Sequence, residues 1–374
     1  MKTIITKGII HVSKFILNII YFFLKLFPCD EKKILFCSRQ SNELPLDFSL
    51  IQNHLDLTGI HCVNICCHMG SRRNDYIKFI KCMFTSMYHL ATSKLCIIDS
   101  YWPAVSLLKH KKKLKIIQIW HAIGKIKKSG YQTLGKKSGR KSEYAYALNM
   151  HKNYDYVIAG ASVWNKYYCE SFNISEDKIL NYGLPRIDYL LNTEEYNRKN
   201  FFCQFPEFRD KKIILYAPTF RRNMKSGWEK IIDSVNKDYV LIIKKHPGEY
   251  LHTKKTADNV YYLENWKTID LIAVCDYFIT DYSAAALEAA VLKKKTYYWL
   301  YDYKEYIENN GLNINLKSEA ELYAFKDIGK LMESICCENY DMNFIERYRM
   351  KYLPENLGHA TDNIVGLIKK LMNE

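Results

Sequence analysis

The sequence of 374 residues lacks the cysteine spacings that mark a metal-binding or disulfide-stabilised protein. None of its twelve cysteines forms a C-x-x-C pair, and Cys62 with Cys66 has no matching downstream pair. Other cysteines, such as Cys96, lie inside apolar stretches. These absences exclude a zinc-finger or disulfide framework and predict buried, reduced thiols in a cytosolic protein.

A long, uninterrupted hydrophobic run is also missing. Residues 4–27 are largely apolar, but His11, Lys14, Asn18 and Lys25 interrupt them. The longest stretch without charge, residues 15–24, is about half of the roughly 20 residues that a membrane-spanning helix needs. No small-residue cleavage site follows, so a secretory signal is not expected. We predict that residues 1–27 form a basic, apolar helix in the membrane interface; a spanning helix and a helix packed in the core are the alternatives.

Acidic residues are few relative to basic ones. The chain has 55 Lys and Arg against 40 Asp and Glu, a net charge of +15 and a pI near 9.1. Such a surplus attracts nucleic acid, anionic lipid or a phosphorylated substrate. No RNP-type, zinc-finger or helix-turn-helix signature occurs, so nucleic acid is not the expected partner. The basic runs, which are either solvated faces or anion-binding surfaces, are Lys109 with Lys111–Lys113, Lys125 with Lys127 and Lys128, Lys136 with Lys137 and Arg140, and Lys293–Lys295.

After Pro28, short apolar runs alternate with longer amphipathic stretches. The runs predicted as buried strands are residues 34–37, 63–66, 95–98, 116–119, 156–159, 213–216, 240–243, 260–263, 277–280 and 296–299. Residues 76–90 and 142–151 are long enough for helices between them. Such alternation indicates βαβ units with parallel sheets covered on both faces.

The polar stretch 190–210 interrupts this alternation, and we interpret it as a linker. The predicted fold is therefore α/β and GT-B-like, with two doubly wound parallel-sheet domains facing a central cleft and an amphipathic helix before them. The predicted boundaries are 1–27 for the membrane-associated helix, 28–190 for an acceptor-side domain and 191–374 for a donor-binding domain.

Five short segments directly follow predicted strands, where an α/β protein places its site. In the first, residues 120–124 (Trp-His-Ala-Ile-Gly), His121 is followed by small residues and can approach a substrate closely; a core histidine is the ordinary alternative. In the second, residues 182–188, Arg186 offers forked donors to a phosphate from a fixed turn. A surface pair of Arg186 with Asp188 would give the same pattern.

The next two segments combine a strand end with basic side chains. Residues 216–222 lead into a turn fixed by Pro218 and carry Thr219 and Arg221. Residues 243–247 end a strand on His246, where the following proline disfavours helix. Both segments could present donors to an anion.

The fifth segment, residues 278–288, is the most informative. A strand ends at Thr280, Asp281 and Ser283 follow as capping residues, and an alanine-rich helix begins. Small residues let a ligand approach free backbone N–H groups at a helix start, which favours an anion. Glu288 lies one turn further on, within reach of a sugar hydroxyl. An ordinary capped helix is the alternative.

Together, in this order, the five segments resemble the CDP-glycerol glycerophosphotransferase family of teichoic-acid and capsule synthesis. That family shows a Trp-His-Gly segment, a Gly-x-Pro-Arg-x-Asp turn, an Ala-Pro-Thr-aromatic-Arg strand end, a Lys-x-His-Pro segment and a Thr-Asp-Tyr-Ser helix start. The likeness runs from Trp120 to Glu288 and on through Tyr301-Asp302-Tyr303, but it does not cover the first hundred residues with any precision.

The resemblance implies a role for each matching residue. His121 would be the general base, while His246, Arg186, Arg221 and Thr219 would face the donor diphosphate. Ser283 would hold phosphate and Glu288 would lie near the cytidine ribose. The remaining predicted substrate-binding residues are Trp120, Ala122, Ile123, Gly124, Lys244, Lys245, Thr280 and Ala284. Ala122 stands where the family usually has Gly, Ala284 replaces a frequent Ser and Glu288 a frequent Asp; the last two indicate a shifted donor pocket.

The activity implied is transfer of glycerol phosphate from CDP-glycerol to a hydroxyl of a lipid-linked or polymeric glycan, with release of CMP. The enzyme would work at the cytoplasmic face of an anionic membrane. No metal site or cofactor is expected, and Mg²⁺ that arrives with the nucleotide donor is the alternative. Three other functions stay open: ribitol-phosphate transfer from CDP-ribitol, a GT-B glycosyltransferase that uses a nucleotide sugar, and a non-catalytic basic protein that binds membrane or nucleic acid.

Overall fold

The structure is a computed structural model that describes residues 2–55, 59–70, 73–219, 221, 228–244 and 257–374, without the side chains of residues 2–7 and 228. The chain forms two compact units. The first comprises Met1–Ile123, Ser129–Asp188 and Asn356–Glu374, and the second comprises Gly124–Lys128 and Tyr189–Glu355.

The first unit contains a parallel sheet of six strands in the order β2-β1-β3-β4-β5-β6. The strands are β1 (Asp30–Ser38), β2 (His61–Cys66), β3 (Ser93–Ile98), β4 (Lys115–Gln118), β5 (Tyr156–Ile158) and β6 (Ile179–Leu180). The helices up to the end of this sheet are α1 (Lys2–Leu24), α2 (Leu46–Leu55), α3 (Arg73–Thr92), α4 (Pro103–Leu107), α5 (Ser142–Ala147) and α6 (Asn165–Phe172). All six residues of β3 are buried, as expected for a central strand covered on both faces.

The helix α7 (Pro185–Gln204) connects the two units, and the second unit contains its own parallel sheet in the order β12-β11-β10-β7-β8-β9. These strands are β7 (Lys212–Tyr216), β8 (Tyr239–Ile243), β9 (Val260–Tyr261), β10 (Tyr277–Thr280), β11 (Lys295–Trp299) and β12 (Ala324–Phe325). The helices that follow are α8 (Thr268–Val274), α9 (Ala285–Val291), α10 (Tyr303–Asn309), α11 (Leu316–Glu319), α12 (Ile328–Cys336), α13 (Met342–Tyr352) and α14 (Ala360–Asn373). The chain therefore reverses its winding between the adjacent strands β7 and β10.

The predicted α/β class and the two doubly wound sheets are confirmed. Each run predicted as a strand overlaps a strand, and the helices predicted at 76–90 and 142–151 correspond to α3 and the shorter α5. The short strands β6 and β12 were not predicted. The linker predicted at 190–210 is wrong, because most of that stretch is α7.

Two segments of the chain lie in a different unit from the domain predicted for them. Asn356–Glu374, which we expected in the second domain, belongs to the first unit, where α14 packs on α2. Gly124–Lys128, which we expected in the first domain, belongs to the second unit, where Lys127 pairs antiparallel with Leu312. The division at Asp188 lies close to the predicted end of the first domain at residue 190.

The helix α1 packs on the first unit along one side. Asn18 Nδ2 donates to Leu107 O at 3.1 Å, and the Tyr21 hydroxyl is 2.9 Å from His110 Nδ1. The other side leaves large apolar side chains exposed, among them Phe15 and Phe23. Among the described residues, no helix has the length and apolar character needed to cross a membrane.

Candidate active site

The loop after β4 carries His121 on a backbone that most residues avoid. Trp120 has a φ of +59°, which places a large aromatic residue in the left-handed region. The side chain of Gln118 stabilises this turn, because its Oε1 accepts from Trp120 N at 2.8 Å. Such strained conformations persist where the surroundings over-determine them, and they concentrate at functional sites.

The contact of His121 with a backbone oxygen indicates which ring nitrogen carries the proton. Nδ1 lies 3.0 Å from the backbone oxygen of Asp99, which can only accept, so Nδ1 carries the proton. Nε2 then carries a lone pair, the form that a general base requires. Gln40 Nε2 lies 3.2 Å from the same Nδ1, and two donors cannot bond to each other, so this tautomer requires the flipped Gln40 amide, whose oxygen accepts. Gln40, Asp99 and His121 follow β1, β3 and β4, which are neighbours in the sheet.

Asp99 is a buried carboxylate that the sequence did not reveal. Its side chain accepts from the Ser38 hydroxyl at 2.7 Å, and the residue is 3 % exposed. Burial raises the pKa of Asp99 to about 6, although hydrogen bonds from Ser38 and Ser100 oppose the shift. The sequence feature that could have identified Asp99 is its position directly after the predicted strand at residues 95–98.

The rest of the first segment is divided between the two units. Ala122 is half-buried and Ile123 is fully buried in the first unit, while Gly124 begins the stretch that belongs to the second. Gly160 is needed opposite Ile123, because a Cβ at Gly160 would lie 2.6 Å from Ile123 O. This close approach holds the loop that carries His121 against the end of β5.

Arg186 and Asp188 bind other parts of the first unit. The Arg186 backbone N and Nε each donate to the Asp47 carboxylate at 2.9 Å, and the Asp47 side chain is 3 % exposed. Asp188 accepts from the backbone N–H groups of Ala360 and Thr361 at the start of α14. The turn therefore joins α7 to α2 and α14, and the diphosphate contact of Arg186 stays a prediction.

In the second unit, the third and fifth segments meet at the reversal between β7 and β10. Thr219 follows β7, Asp281 follows β10, and Thr219 N donates to both carboxylate oxygens of Asp281, at 2.9 and 3.1 Å. The Thr280 hydroxyl donates to Ala217 O at 2.7 Å. This edge of a doubly wound sheet is where such folds bind ligands.

Arg221 lies at the centre of this edge but is buried by acidic partners. Its Nη1 is 2.7 Å from Asp281, and its Nε is 2.6 Å from Asp302, which also accepts from the Tyr282 hydroxyl. The Arg221 side chain is 1 % exposed. Burial alone would lower the pKa of Arg221, but the two carboxylates outweigh it and raise the pKa. The direct contact with a diphosphate expected for Arg221 therefore has no support here; its guanidinium holds two loops together.

The small-residue segment leads into a short helix. Ser283 and Ala284 are half-buried, Glu288 is buried within α9, and the Ser283 hydroxyl accepts from Ala285 N at 3.2 Å. The Thr219 hydroxyl is buried and has no hydrogen-bond partner among the residues that the structure describes. A buried polar atom in that state needs an explanation, and a ligand is one.

The lysines of this region have different environments. The Lys244 ammonium group donates to the backbone oxygens of Leu263 and Glu264, at 3.0 and 3.1 Å, so it caps a loop. Lys245 and His246 lie outside the described residues, and their predicted roles stay predictions.

Lys125 and Lys127 are cations that sequence reasoning assigned only to a basic run. Asn313 holds their stretch through hydrogen bonds from its Nδ2 to Lys125 O and Lys127 O. Burial lowers the pKa of Lys125 to about 7. Burial also lowers the pKa of Lys127, with Asp281 opposing the shift and Arg221 adding to it. The half-buried Lys127 side chain forms no ion pair with a described residue, although the Asp281 carboxylate is near enough to favour its charged form.

No group of three His, Cys, Asp or Glu side chains within the described ranges is arranged to hold a metal ion. The chain brings Gln40, Asp99 and His121 together in the first unit, and Lys127, Thr219 and Asp281 in the second. The first group offers a proton acceptor, and Lys127 and Thr219 of the second group are able to bind an anion.

Comparisons with known proteins show what the chain and its fold are similar to. The chain is 27 % identical to a teichoic acid ribitol-phosphate primase of Bacillus spizizenii, over 100 % of this chain and 99 % of that one. It is 29 % identical to a teichoic acid glycerol-phosphate primase of Bacillus subtilis, over 78 % and 77 % of the two chains. The fold is similar to that of the wall teichoic acid polymerase TagF, with a TM-score of 0.73, 18 % identity and coverage of 99 % and 97 %. This similarity confirms the predicted GT-B-like fold class of two doubly wound parallel sheets, while the central cleft stays a prediction.

A sequence model of the CDP-glycerol:poly(glycerophosphate) glycerophosphotransferase family matches residues 19–370. The match covers almost the whole chain and includes all five segments from which the resemblance was predicted. The chain therefore belongs to the CDP-glycerol:poly(glycerophosphate) glycerophosphotransferase family, whose enzymes are phosphotransferases.

Proposed function

We propose that the protein transfers a polyol phosphate from a CDP-polyol to a hydroxyl of a lipid-linked or polymeric acceptor of the teichoic-acid type. The observation that carries this proposal is the His121 tautomer. Because Nδ1 donates to Asp99 O, Nε2 carries the lone pair that can accept the acceptor's proton. Family membership supports a CDP-polyol as the donor. A structure of a TagF variant was obtained after a soak with CDPG.

The reaction follows from these groups. The acceptor oxygen attacks the distal phosphorus of the donor while its proton passes to His121 Nε2. The new oxygen–phosphorus bond forms as the bond between that phosphorus and the bridging oxygen breaks, and CMP leaves with the electron pair. In-line displacement of this kind is accelerated by positioning and by fixed positive charge.

The charge on the donor side comes from Lys127 in this proposal. Asp281 and Asp302 already neutralise Arg221, so Arg221 acts as a positioning residue that fixes the Thr219 turn. Lys127 forms no ion pair with a described carboxylate but is near enough to Asp281 to feel its charge, and the Thr219 hydroxyl, which has no described partner, adds a donor. Lys245 and His246 are further candidates from the family pattern.

Two donors are candidates. CDP-glycerol is the first, since the family model describes glycerophosphate transfer and the glycerol-phosphate primase has the higher identity. CDP-ribitol is the second, because the ribitol-phosphate primase aligns along practically the whole of both chains.

We also propose that the protein is bound peripherally to the cytoplasmic face of an anionic membrane. The helix α1 exposes a broad apolar surface, and the neighbouring α3 adds Ile77, Ile80 and Phe84, each about half exposed. The Phe27 and Tyr88 rings are 5.7 Å apart, so this surface is continuous from the end of α1 to α3. Exposed apolar area beside basic residues is typical of interfacial binding.

A donor screen that reads CMP release tests the reaction. We expect turnover with CDP-glycerol or CDP-ribitol, and this turnover should be the same with and without EDTA. We expect no turnover with UDP-sugars. The variant His121→Asn should lower kcat by about 10²–10⁴-fold, whereas the matched variant His61→Asn, at an exposed histidine of β2, should not. Near-normal turnover of His121→Asn with donor binding intact would overturn the role of His121. Turnover of UDP-sugars alone would favour a glycosyltransferase, and absence of any donor-dependent release would favour a binding protein.

A further inference from the structure

The first unit contains a pocket of about 340 Å³ that includes none of the residues predicted for transfer. The volume lies within the range of small-molecule sites. Six lysines line the pocket: Lys14 of α1, Lys109, Lys111 and Lys112 of the loop after α4, Lys152 and Lys178. We call this feature the basic pocket.

The charge of the basic pocket is only partly compensated, because six lysines line it with one carboxylate. Its one lining carboxylate, Asp155, accepts from Ile116 N at 2.8 Å. Lys111 and Lys178 donate to the backbone oxygens of Phe27 and Tyr154. Among the described residues, the remaining four lysines form no ion pair with a carboxylate. Burial, and then repulsion from Lys152 and Lys109, lowers the pKa of Lys14, so the lysines destabilise one another's charge.

The backbone around the basic pocket is held by specific hydrogen bonds. Asn153, at a φ of +74°, donates from Nδ2 to Val105 O and Leu108 O, at 2.8 and 3.0 Å. Asn18 of α1 accepts from Lys109 N at 2.9 Å. These hydrogen bonds keep the lysines close to one another despite their repulsion. A solvated run of surface lysines would have no such fixed backbone.

We propose that the basic pocket binds the phosphate group of a membrane lipid. Several ammonium groups around one cavity suit a phosphate group with more than one negative charge, because each ammonium is a compact positive charge with three hydrogen-bond donors. We assign the phosphate to a lipid because Lys14 lies on α1, the helix proposed to contact the membrane. The residues that follow Lys14, Phe15 and Ile16, are 68 % and 50 % exposed. Lipid phosphates lie just above the depth that such side chains reach.

Vesicle binding of the full-length protein tests this proposal. Phosphatidylcholine vesicles with and without phosphatidic acid would be compared by flotation. We expect Lys109→Gln/Lys152→Gln to lose about tenfold or more in affinity for the vesicles with phosphatidic acid. The matched pair Lys137→Gln/Lys141→Gln, which removes the same charge from exposed positions of the same unit, should lose much less. Lys109→Arg/Lys152→Arg, which keeps the charge, should retain binding.

Three results would overturn the proposal. Equal losses for both glutamine pairs would mean that net charge, and not the pocket, attracts the membrane. A thermal shift with inorganic phosphate that the pocket pair abolishes, without any change in vesicle binding, would assign the pocket to a soluble phosphate. Absence of vesicle binding by the wild-type protein would remove both the lipid and the proposed membrane association. CMP release with a soluble acceptor, measured in parallel, reports on the transfer reaction separately.

Discussion

Asp99 supports His121 through its backbone oxygen, while its own buried side chain carries a charge that burial disfavours. The folded protein raises the pKa of Asp99 to about 6 from the usual 3.8. The contribution of Asp99 to stability is therefore greatest below the unfolded pKa and is lost as the pH rises through 6. At neutral pH the ionised carboxylate lowers the free energy of unfolding by about 3 kcal/mol.

The variant Asp99→Asn should remove this pH dependence. Asn keeps an oxygen that can accept from Ser38 but has no charge to desolvate. Urea unfolding should show a stability gain over wild type of about 3 kcal/mol at pH 7.5 and a smaller gain, about 1 kcal/mol, at pH 4.5. Parallel pH trends in the two proteins would contradict the raised pKa.

Arg221 gives a second prediction for a single residue. Lysine has one ammonium group and cannot bind Asp281, Asp302 and Thr219 O from one plane, as the guanidinium does. Arg221→Lys should lower the free energy of unfolding by about 3 kcal/mol, because a buried carboxylate loses its partner. Arg209→Lys, at an exposed arginine that binds Phe202 O, is the control and should change Tm little. A similar small change for both would show that Asp281 and Asp302 do not depend on the guanidinium fork.

Sequence reasoning could predict where Arg221 follows a strand, but not what its guanidinium binds. Asp302 lies far along the chain, and only the pairing of β10 with β7 and β11 brings its loop to Arg221. For the same reason Asp99 went unnoticed beside His121: the adjacency of β3 and β4 is a property of the sheet. Local motifs indicate strand ends, whereas contacts between strand ends depend on the strand order.

The helix α7 shows why the predicted linker was wrong. Its buried positions include the apolar residues Ile187, Leu190 and Phe201. The buried position between Leu190 and Phe201 is polar: it is Asn197, whose Nδ2 donates to the Thr193 hydroxyl at 3.1 Å. Glu194 pairs with Lys294 at 2.9 Å. Polar residues therefore occupy places where an amphipathic helix would be apolar, and the 3.6-residue period disappears from the sequence.

The docking of α1 should depend on pH through His110. Burial lowers the pKa of His110 to about 4 from the usual 6.5, so the folded protein keeps the ring neutral between Tyr21 and Val105 O. The stabilisation is complete above pH 6.5 and is lost as the pH falls towards 4. Amide exchange within α1, corrected for intrinsic rates, should accelerate at pH 5 relative to pH 7.5.

A variant separates this effect from general acid sensitivity. His110→Gln keeps a donor and an acceptor but cannot be protonated, so α1 exchange should then change little between the two pH values. The helix α12, which contains no histidine, serves as the internal control. Equal acceleration of α1 in wild type and His110→Gln would assign the pH response to another group.

At the scale of the whole molecule, Asp188 ties the end of the chain to the first unit. Its carboxylate accepts from Ala360 N and Thr361 N, so it caps α14, and α14 packs on α2 of the same unit. A negative charge at a helix start also interacts favourably with the helix dipole. The motif residue that sequence reasoning assigned to a turn thus fixes a segment that is distant in the chain.

Asp188→Ala should destabilise the first unit and leave the second unaffected. Loss of a cap of this kind costs about 1–2 kcal/mol, which should appear as faster amide exchange in α14 and α2. Asp327→Ala is the matched variant, because Asp327 caps α12 of the second unit by accepting from Lys330 N at 3.0 Å. Its faster exchange should stay within the second unit. If Asp188→Ala accelerated exchange in α12 as much as in α14, the two units would unfold as one, and the assignment of Asn356–Glu374 to the first unit would have no energetic meaning.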